Sequence, residues 1–266
     1  MPRNPRGDLL PLTYGDYLKL DDLLELQVPQ SPGPEHDEML FIVIHQVYEL
    51  WFKLVLHELE HLQRALEAGE GALAMAGFKR ILTIFKTLVA QVDILETMTP
   101  VSFLSFRDRL DTASGFQSLQ FRRLELLLGA RQAGLLRHYP EAAPELERLF
   151  AANSLYDSFL LYLARKGYPI PESALGRDRA QPPREDPEAQ EVLVEIYHVD
   201  PATREVCERM VDLDEGLQEW RYRHVKMVER TIGTRRGTGG SAGAEYLRTT
   251  LFQPLFPDLW AIRPRL

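Results

Sequence analysis

The chain has 266 residues, with 31 Lys plus Arg against 39 Asp plus Glu, a formal net charge of −8 and a single cysteine, Cys207. That length supports one or two domains, and the negative balance argues against nucleic acid as a partner, because phosphate binding needs a basic surface. One cysteine excludes a disulfide framework, a Cys-rich zinc site, a Cys-ligated iron–sulfur cluster and haem attached through Cys-x-x-Cys-His, so any metal must be held by His, carboxylate or a cofactor. The first eight residues, MPRNPRGD, lack the apolar stretch of a signal peptide. No uninterrupted run approaches the ~18 apolar residues of a membrane span. The expectation is a cytoplasmic protein with no membrane partner.

Residues 1–34 read as an N-terminal arm. Helical apolar spacing at Tyr14, Leu18, Leu24 and Leu26 precedes a Pro-rich break, VPQSPGP, over 28–34. A long helix then runs from about His36 to Leu66 without internal Pro or Gly, and a second from about Phe78 to Met98 with Ile81, Ile84, Leu88, Val92 and Leu95 at helical period. Thr99-Pro100 is an N-cap followed by Pro at the first helical position, and the short helix it opens ends near Asp111–Gly115. Residues 116–165 carry two or three more helices. Residues 167–188 are Pro-rich and charged, and read as a mobile surface insertion outside the core. Helices resume near Glu188 and near Ala202, the latter running to Ile232, and a Gly-rich loop and a Pro-broken tail follow. With no sustained period-2 alternation, the expected fold is all-α, one helical domain over 35–266 behind the arm.

In the first long helix the polar positions Gln46, Glu49, Lys53, His57, Glu60, Arg64 and Glu67 form one solvated stripe. His45 lies off that stripe, beside Phe41, Ile42, Tyr48 and Phe52. It is either a core-edge histidine with one hydrogen bond or a functional group bordering an aromatic surface. His57-Glu58-Leu59-Glu60-His61 matches the zinc-hydrolase pattern H-E-x-x-H. Against it, His57 sits mid-stripe in solvent, and Arg64 and Glu67 stand where the extended motif needs Gly and His.

In the last long helix the apolar stripe Val206, Met210, Leu213, Leu217, Trp220, Val228, Ile232 has one member that is not apolar, His224. A histidine centred on a buried stripe needs a partner, either a backbone carbonyl or a metal or haem iron. The loop Gly233–Gly243 holds five glycines, with Arg235, Arg236, Thr238 and Ser241 among them. It is not a P-loop, lacking Gly-Lys-[Ser/Thr]. A helix precedes it where a dinucleotide fingerprint needs a strand. A flexible linker and an anion-facing loop both remain.

Six stretches together carry a resemblance. They are Tyr14-Gly15-x-Tyr17-Leu18-x-Leu20-Asp21, HDEMLFIVIHQ over 36–46, ELWFK over 49–53, Ser114-Gly115-Phe116-Gln117-Ser118, Arg223-His224 and Gly237-Thr238-Gly239-Gly240-Ser241. In order and gaps they resemble the tryptophan 2,3-dioxygenase family across most of the chain. The 167–188 stretch aligns with nothing in it.

The resemblance implies a helical enzyme with haem b that inserts both atoms of O₂ into L-tryptophan, yielding N-formyl-L-kynurenine, the first step of tryptophan catabolism by the kynurenine route. His224 falls at the axial ligand of the haem iron, which leaves the opposite face open for O₂. His45 falls at the distal, catalytic histidine and Phe41 in the indole pocket, with Ile42, Val43 and Ile44 beside it. Arg107 falls at the partner of the substrate carboxylate, Thr238 at the loop threonine that binds the amino-acid end, and Ser114 near haem and substrate. Tyr14, Tyr17 and Leu18 match an arm that enters a neighbouring subunit's site, which implies a homotetramer. Phe103 and Phe121 stand where relatives carry Tyr, so a hydroxyl contact is missing at each. A zinc hydrolase on His57, Glu58 and His61, and a non-catalytic haem-binding protein of the same shape, are the competing readings.

Overall fold

A computed structural model describes residues 11–33, 35–132, 134–237 and 243–266. Every regular element among them is helical. The arm carries two single turns, α1 (Tyr14–Leu18) and α2 (Leu20–Leu24). The domain follows with α3 (His36–Ala68), α4 (Gly71–Leu95), α5 (Pro100–Phe106), α6 (Leu119–Leu128), α7 (Ala143–Ala151), α8 (Leu155–Arg165), α9 (Glu172–Leu175), α10 (Pro187–Val199), α11 (Pro201–Ile232), α12 (Ala244–Arg248) and α13 (Pro257–Ala261).

The helix ends follow from local chemistry. α3 stops at Gly69, whose φ of 81° is costly for any residue with a Cβ. Glu70 N–H then closes back onto the Ala65 carbonyl. Thr99 caps α5 by accepting from Ser102 N–H at 3.1 Å, with Pro100 in the first turn, as the sequence indicates. Asp200 accepts from Ala202 N–H at 3.1 Å and Thr203 N–H at 3.0 Å to start α11.

Three long helices set the frame. α3 and α4 are antiparallel, since Tyr48 donates to the Leu88 carbonyl at one end and Arg80 pairs with Glu58 at the other. α11 runs alongside α4 in the same direction, placing Gly216 on Phe85 and Arg223 on Asp93. Their shared interior, with α6, α8, α10 and α13, is one apolar core in which Val55, Leu59, Leu62, Phe78, Ile81, Leu88, Met210, Leu213 and Leu217 are fully buried. A smaller cluster of Ile44, Leu95, Met98, Phe103 and Phe106 closes the far end around α5. α3 is long and apolar enough to cross a membrane by length and composition, yet here it is the central helix, packed on α4, α5, α6 and α8.

The 167–188 stretch differs from its expected character. Ile170 and Ala174 join the main core. Arg177 pairs with Asp157 at 2.8 Å, Arg179 donates to Asn153 at 2.7 Å, and Asp186 caps α10. Its composition is that of a loop, but two apolar anchors and two half-buried arginine contacts strap it down, and none of these has a period to read.

Candidate functional site

At the α5 end the long helices part around a cleft of about 1670 Å³ including its mouth. α3 presents Phe41, His45, Tyr48 and Phe52, spaced four, three and four along one face. α5 and the turns after it give Phe103, Arg107, Ser114 and Phe116; α6 gives Phe121, Arg122 and Glu125; α11 gives Trp220, Arg221, His224 and Val228.

His45 Nδ1 lies 2.7 Å from the Phe41 carbonyl. A carbonyl only accepts, so Nδ1 carries the proton and, in the neutral ring, Nε2 is a bare acceptor. Burial holds the imidazole neutral, lowering its pKa against the opposing pull of the Phe41 carbonyl and Glu49. The ring packs on Phe41 with centroids 4.1 Å apart, and Phe41 in turn meets Phe103 and Phe106 at 5.7 and 5.6 Å. The result is a flat aromatic wall beside one hydrogen-bond acceptor.

His224 sits on the opposite helix. Burial first, with unfavourable interactions with His45 and the Arg122 cation adding to it, pushes its pKa down to about 4. It is a neutral imidazole at physiological pH. Among the described residues nothing hydrogen-bonds its ring; its contact is Trp220, stacked at 5.2 Å and 7°.

A buried charge cluster forms part of the wall. Glu125 accepts from Arg122 at 2.5 Å and from Arg221 at 2.9 Å. Two arginines against one glutamate leave a positive excess, and Arg122 Nε is buried without an acceptor while its guanidinium lies 5.0 Å from the Phe121 ring. A buried cation short of partners is costly unless an anion joins it. Sequence reasoning missed this cluster. Its members look like ordinary helix-surface charges, and its longest link joins residues 96 positions apart.

Arg107 follows α5 at the cleft, half-buried, and donates to the Arg236 carbonyl at 2.6 Å. It therefore ties the Gly-rich loop to the site. That loop is pinched at its base: Gly243 has φ 63° and ψ −131°, and a Cβ there would lie 2.8 Å from the Arg235 carbonyl oxygen. Only glycine fits. Thr238 lies outside the described residues. Ser114 lines the cleft, its hydroxyl accepting from Phe116 N–H at 3.3 Å while Gln117 closes a capping box.

The structure thus brings together Phe41, His45, Phe103, Arg107, Ser114 and His224. It does not bring Ile42, Val43 and Ile44 to the cleft: Ile44 is buried in the α5 cluster and Val43 faces outward. At 100° per residue, only one position in three or four can share the face of Phe41 and His45. Tyr14, Tyr17 and Leu18 are exposed and line no part of this chain's own cleft; Tyr14 and Tyr17 keep 75% and 72% of their surface. The zinc pattern comes apart. His57 is exposed, while Glu58 points inward to Arg80 at 2.7 Å, so the carboxylate and the imidazole face different surroundings.

Comparison with known proteins agrees with this geometry. A family profile described as tryptophan 2,3-dioxygenase matches residues 6–149 and 185–266, leaving out α8 and most of the 167–188 stretch. The chain is 58% identical over 266 residues to the tryptophan 2,3-dioxygenase of Anaeromyxobacter sp. (strain K), covering 98% of each. It is 57% identical to that of Herpetosiphon aurantiacus, covering 95% of this chain and 97% of the relative, and 40% identical to that of Pseudomonas fluorescens, covering 96% and 91%. With two opposed neutral histidines, an aromatic wall and this near full-length identity, the chain belongs to the tryptophan 2,3-dioxygenase family.

Proposed function

We propose that the cleft binds haem b on His224 and that the chain catalyses the reaction of its family, L-tryptophan plus O₂ to N-formyl-L-kynurenine. The observation that carries the reading is the placement of His45 and His224, both neutral through burial, on one mostly apolar cleft walled by aromatic rings. The residues present fit haem. His224 offers an unpartnered imidazole, Phe52, Phe121 and Val228 offer apolar surface, and the partner-short Arg122 offers a cation for a propionate. Haem, when bound, supplies the iron centre for the oxygen chemistry.

The protein's own part is binding, orientation and exclusion of water. Indole packs against Phe41 and Phe103, and its N–H donates to His45 Nε2. The reaction retains every atom of both reactants, breaking the indole C2–C3 bond and leaving the nitrogen its hydrogen in the formamide. His45 therefore needs only to accept a hydrogen bond, not to keep a proton. Arg107 exchanges the Arg236 carbonyl for the substrate carboxylate, which it can meet with a planar fork, and Thr238 binds the amino-acid end.

The arm supports a homotetramer with exchange between subunits. Glu38 accepts from Gln30 N–H at 2.6 Å and Ser31 N–H at 3.2 Å, and Gln46 donates to the Leu26 carbonyl at 2.9 Å. The arm's base is thereby moored along α3 while Tyr14, Tyr17 and Leu18 stay uncovered, ready to complete a neighbour's site. Met39, Val43 and Leu50 leave an apolar face on α3 for such a neighbour.

The test is one preparation examined three ways: visible spectrum, sedimentation, and turnover of tryptophan by the reduced protein in air. A Soret band, a tetramer and N-formylkynurenine are expected. Stoichiometric zinc without haem would replace this reading with hydrolysis. Haem without turnover would leave a haem-binding protein, and a monomer would remove the arm exchange.

A further inference from the structure

We propose that Trp220 is a positioning residue for His224, its indole plane setting the rotation of the imidazole in place of the usual hydrogen bond. The inference rests on His224 as the axial ligand. A metal-bound histidine ordinarily donates its second ring N–H to a carboxylate or carbonyl, which fixes both tautomer and ring angle. Among the described residues no such acceptor meets His224. Of the carboxylates on the same cleft, Glu125 already accepts from Arg122 and Arg221, and Glu49 from Gln120 at 2.9 Å. What meets the imidazole is a parallel indole one turn earlier on α11, 5.2 Å away and 7° from coplanar.

That indole is itself held from three sides. Phe52 meets it edge-on at 6.0 Å and 86°, Phe121 at 4.9 Å, and Tyr48 at 6.4 Å. Tyr48 is anchored to the Leu88 carbonyl at 2.7 Å, so the cage connects α3, α4 and α6 to the ring on α11. Trp220 Nε1 is buried near the Tyr48 hydroxyl, a further tie between the ring and its cage. Toward His224 the residue presents the face of its bicyclic ring. An imidazole held by a face and not by an anion keeps its N–H undrawn, and remains a neutral and weakly donating ligand.

The experiment uses the haem-loaded enzyme and the variants Trp220→Phe and Trp220→Leu. It reads the iron–imidazole stretching band of the ferrous form and the rate of haem transfer to excess apomyoglobin, with circular dichroism confirming the fold. Trp220→Leu should broaden or split the band and speed haem loss by a few-fold to about tenfold, the range an aromatic pair is worth. Trp220→Phe, which keeps a stackable face, should restore most of both. A parental band and loss rate in Trp220→Leu would overturn the proposal, the helix backbone alone then setting the ring. Equal changes in the two variants would also overturn it, pointing to lost volume. If Leu does not fold, the Phe variant still decides: a band as broad as that of free imidazole added to His224→Gly enzyme would sink the idea. A parent without a Soret band fails the ligand assignment, a different outcome.

Discussion

α3 and α11 each run through two environments. Toward the end away from α5, Val55, Leu59, Leu62 and Leu66 of α3 and Val206, Met210, Leu213 and Leu217 of α11 are sealed against α4 and its neighbours. Toward the α5 end the same helical faces continue, but as Phe41, His45 and Tyr48 on one side and His224 and Val228 on the other, with a cleft between them. The apolar period is unbroken across the change. What differs is that in the sealed half these two helices present Val, Leu and Met side chains buried against their neighbours, whereas in the open half they present flat rings whose faces are left to a ligand. Stability and chemistry are therefore divided along the length of the same helices, and each half can be damaged separately.

The largest effect should come from the sealed half. Phe78 of α4 is fully buried in the main core. Phe78→Ala should cost about 3–5 kcal/mol of stability, the transfer loss plus a cavity that neighbours fill only in part. Denaturant melts measure it. The folded fraction should keep parental KM for tryptophan, and a KM shifted as strongly as the stability would break the division.

The reverse pattern is expected at Arg107. Loss of a charge-assisted hydrogen bond worth about 1.5–3 kcal/mol converts to roughly 10- to 100-fold in kcat/KM. Arg107 contributes one bond to a loop carbonyl in the folded protein, so the melting temperature should move little. Lys should rescue only part, lacking the planar fork. Tryptamine has no carboxylate and should be a poor substrate that loses little more in Arg107→Ala. Equal proportional losses for tryptophan and tryptamine would assign Arg107 to the fold or the haem.

The two halves also differed in how far they could be read. The sealed half was legible because aliphatic period and caps are local signals: the Thr99-Pro100 start and the Ile81–Leu95 stripe lie where spacing puts them. At the open end, His224 stood out by interrupting such a stripe, and His45 by bordering aromatics. Arg122, Glu125 and Arg221 did not, since burial of a charge is decided by a partner on another helix. Trp220 read as core because a stacking partner and a packing partner have the same spacing. Ile42, Val43 and Ile44 were separable from Phe41 by helical phase alone, and the structure makes that separation. Ile170 and Ala174 were hidden inside a stretch whose composition is that of solvent-exposed loop.

The smallest expected effect belongs to the start of α11, at the sealed end of the helix that carries His224. Asp200 caps the helix through Ala202 N–H and Thr203 N–H, and its other oxygen accepts from Thr203 Oγ1 at 2.6 Å, Tyr168 at 2.9 Å and Lys166 at 3.1 Å. These bonds, the Thr203 hydroxyl first and its N–H next, hold the carboxyl well below the usual carboxylate range. A depressed folded pKa means the unfolded chain binds the proton first on acidification. The stabilisation is complete above the unfolded value near 4 and is lost as the pH falls below it. Asp200→Ala should cost about 1 kcal/mol at pH 7, the ordinary worth of an N-cap, with kcat/KM unchanged. Asp200→Asn should cost less, because an amide oxygen still accepts from the two N–H groups while the bond to Lys166 loses its charge. The gap in melting temperature between parent and Asp200→Ala should hold steady from pH 7 to about pH 5 and narrow on further acidification. A gap that stays constant or widens toward pH 3 would show that the carboxylate's charge contributes nothing to starting the helix.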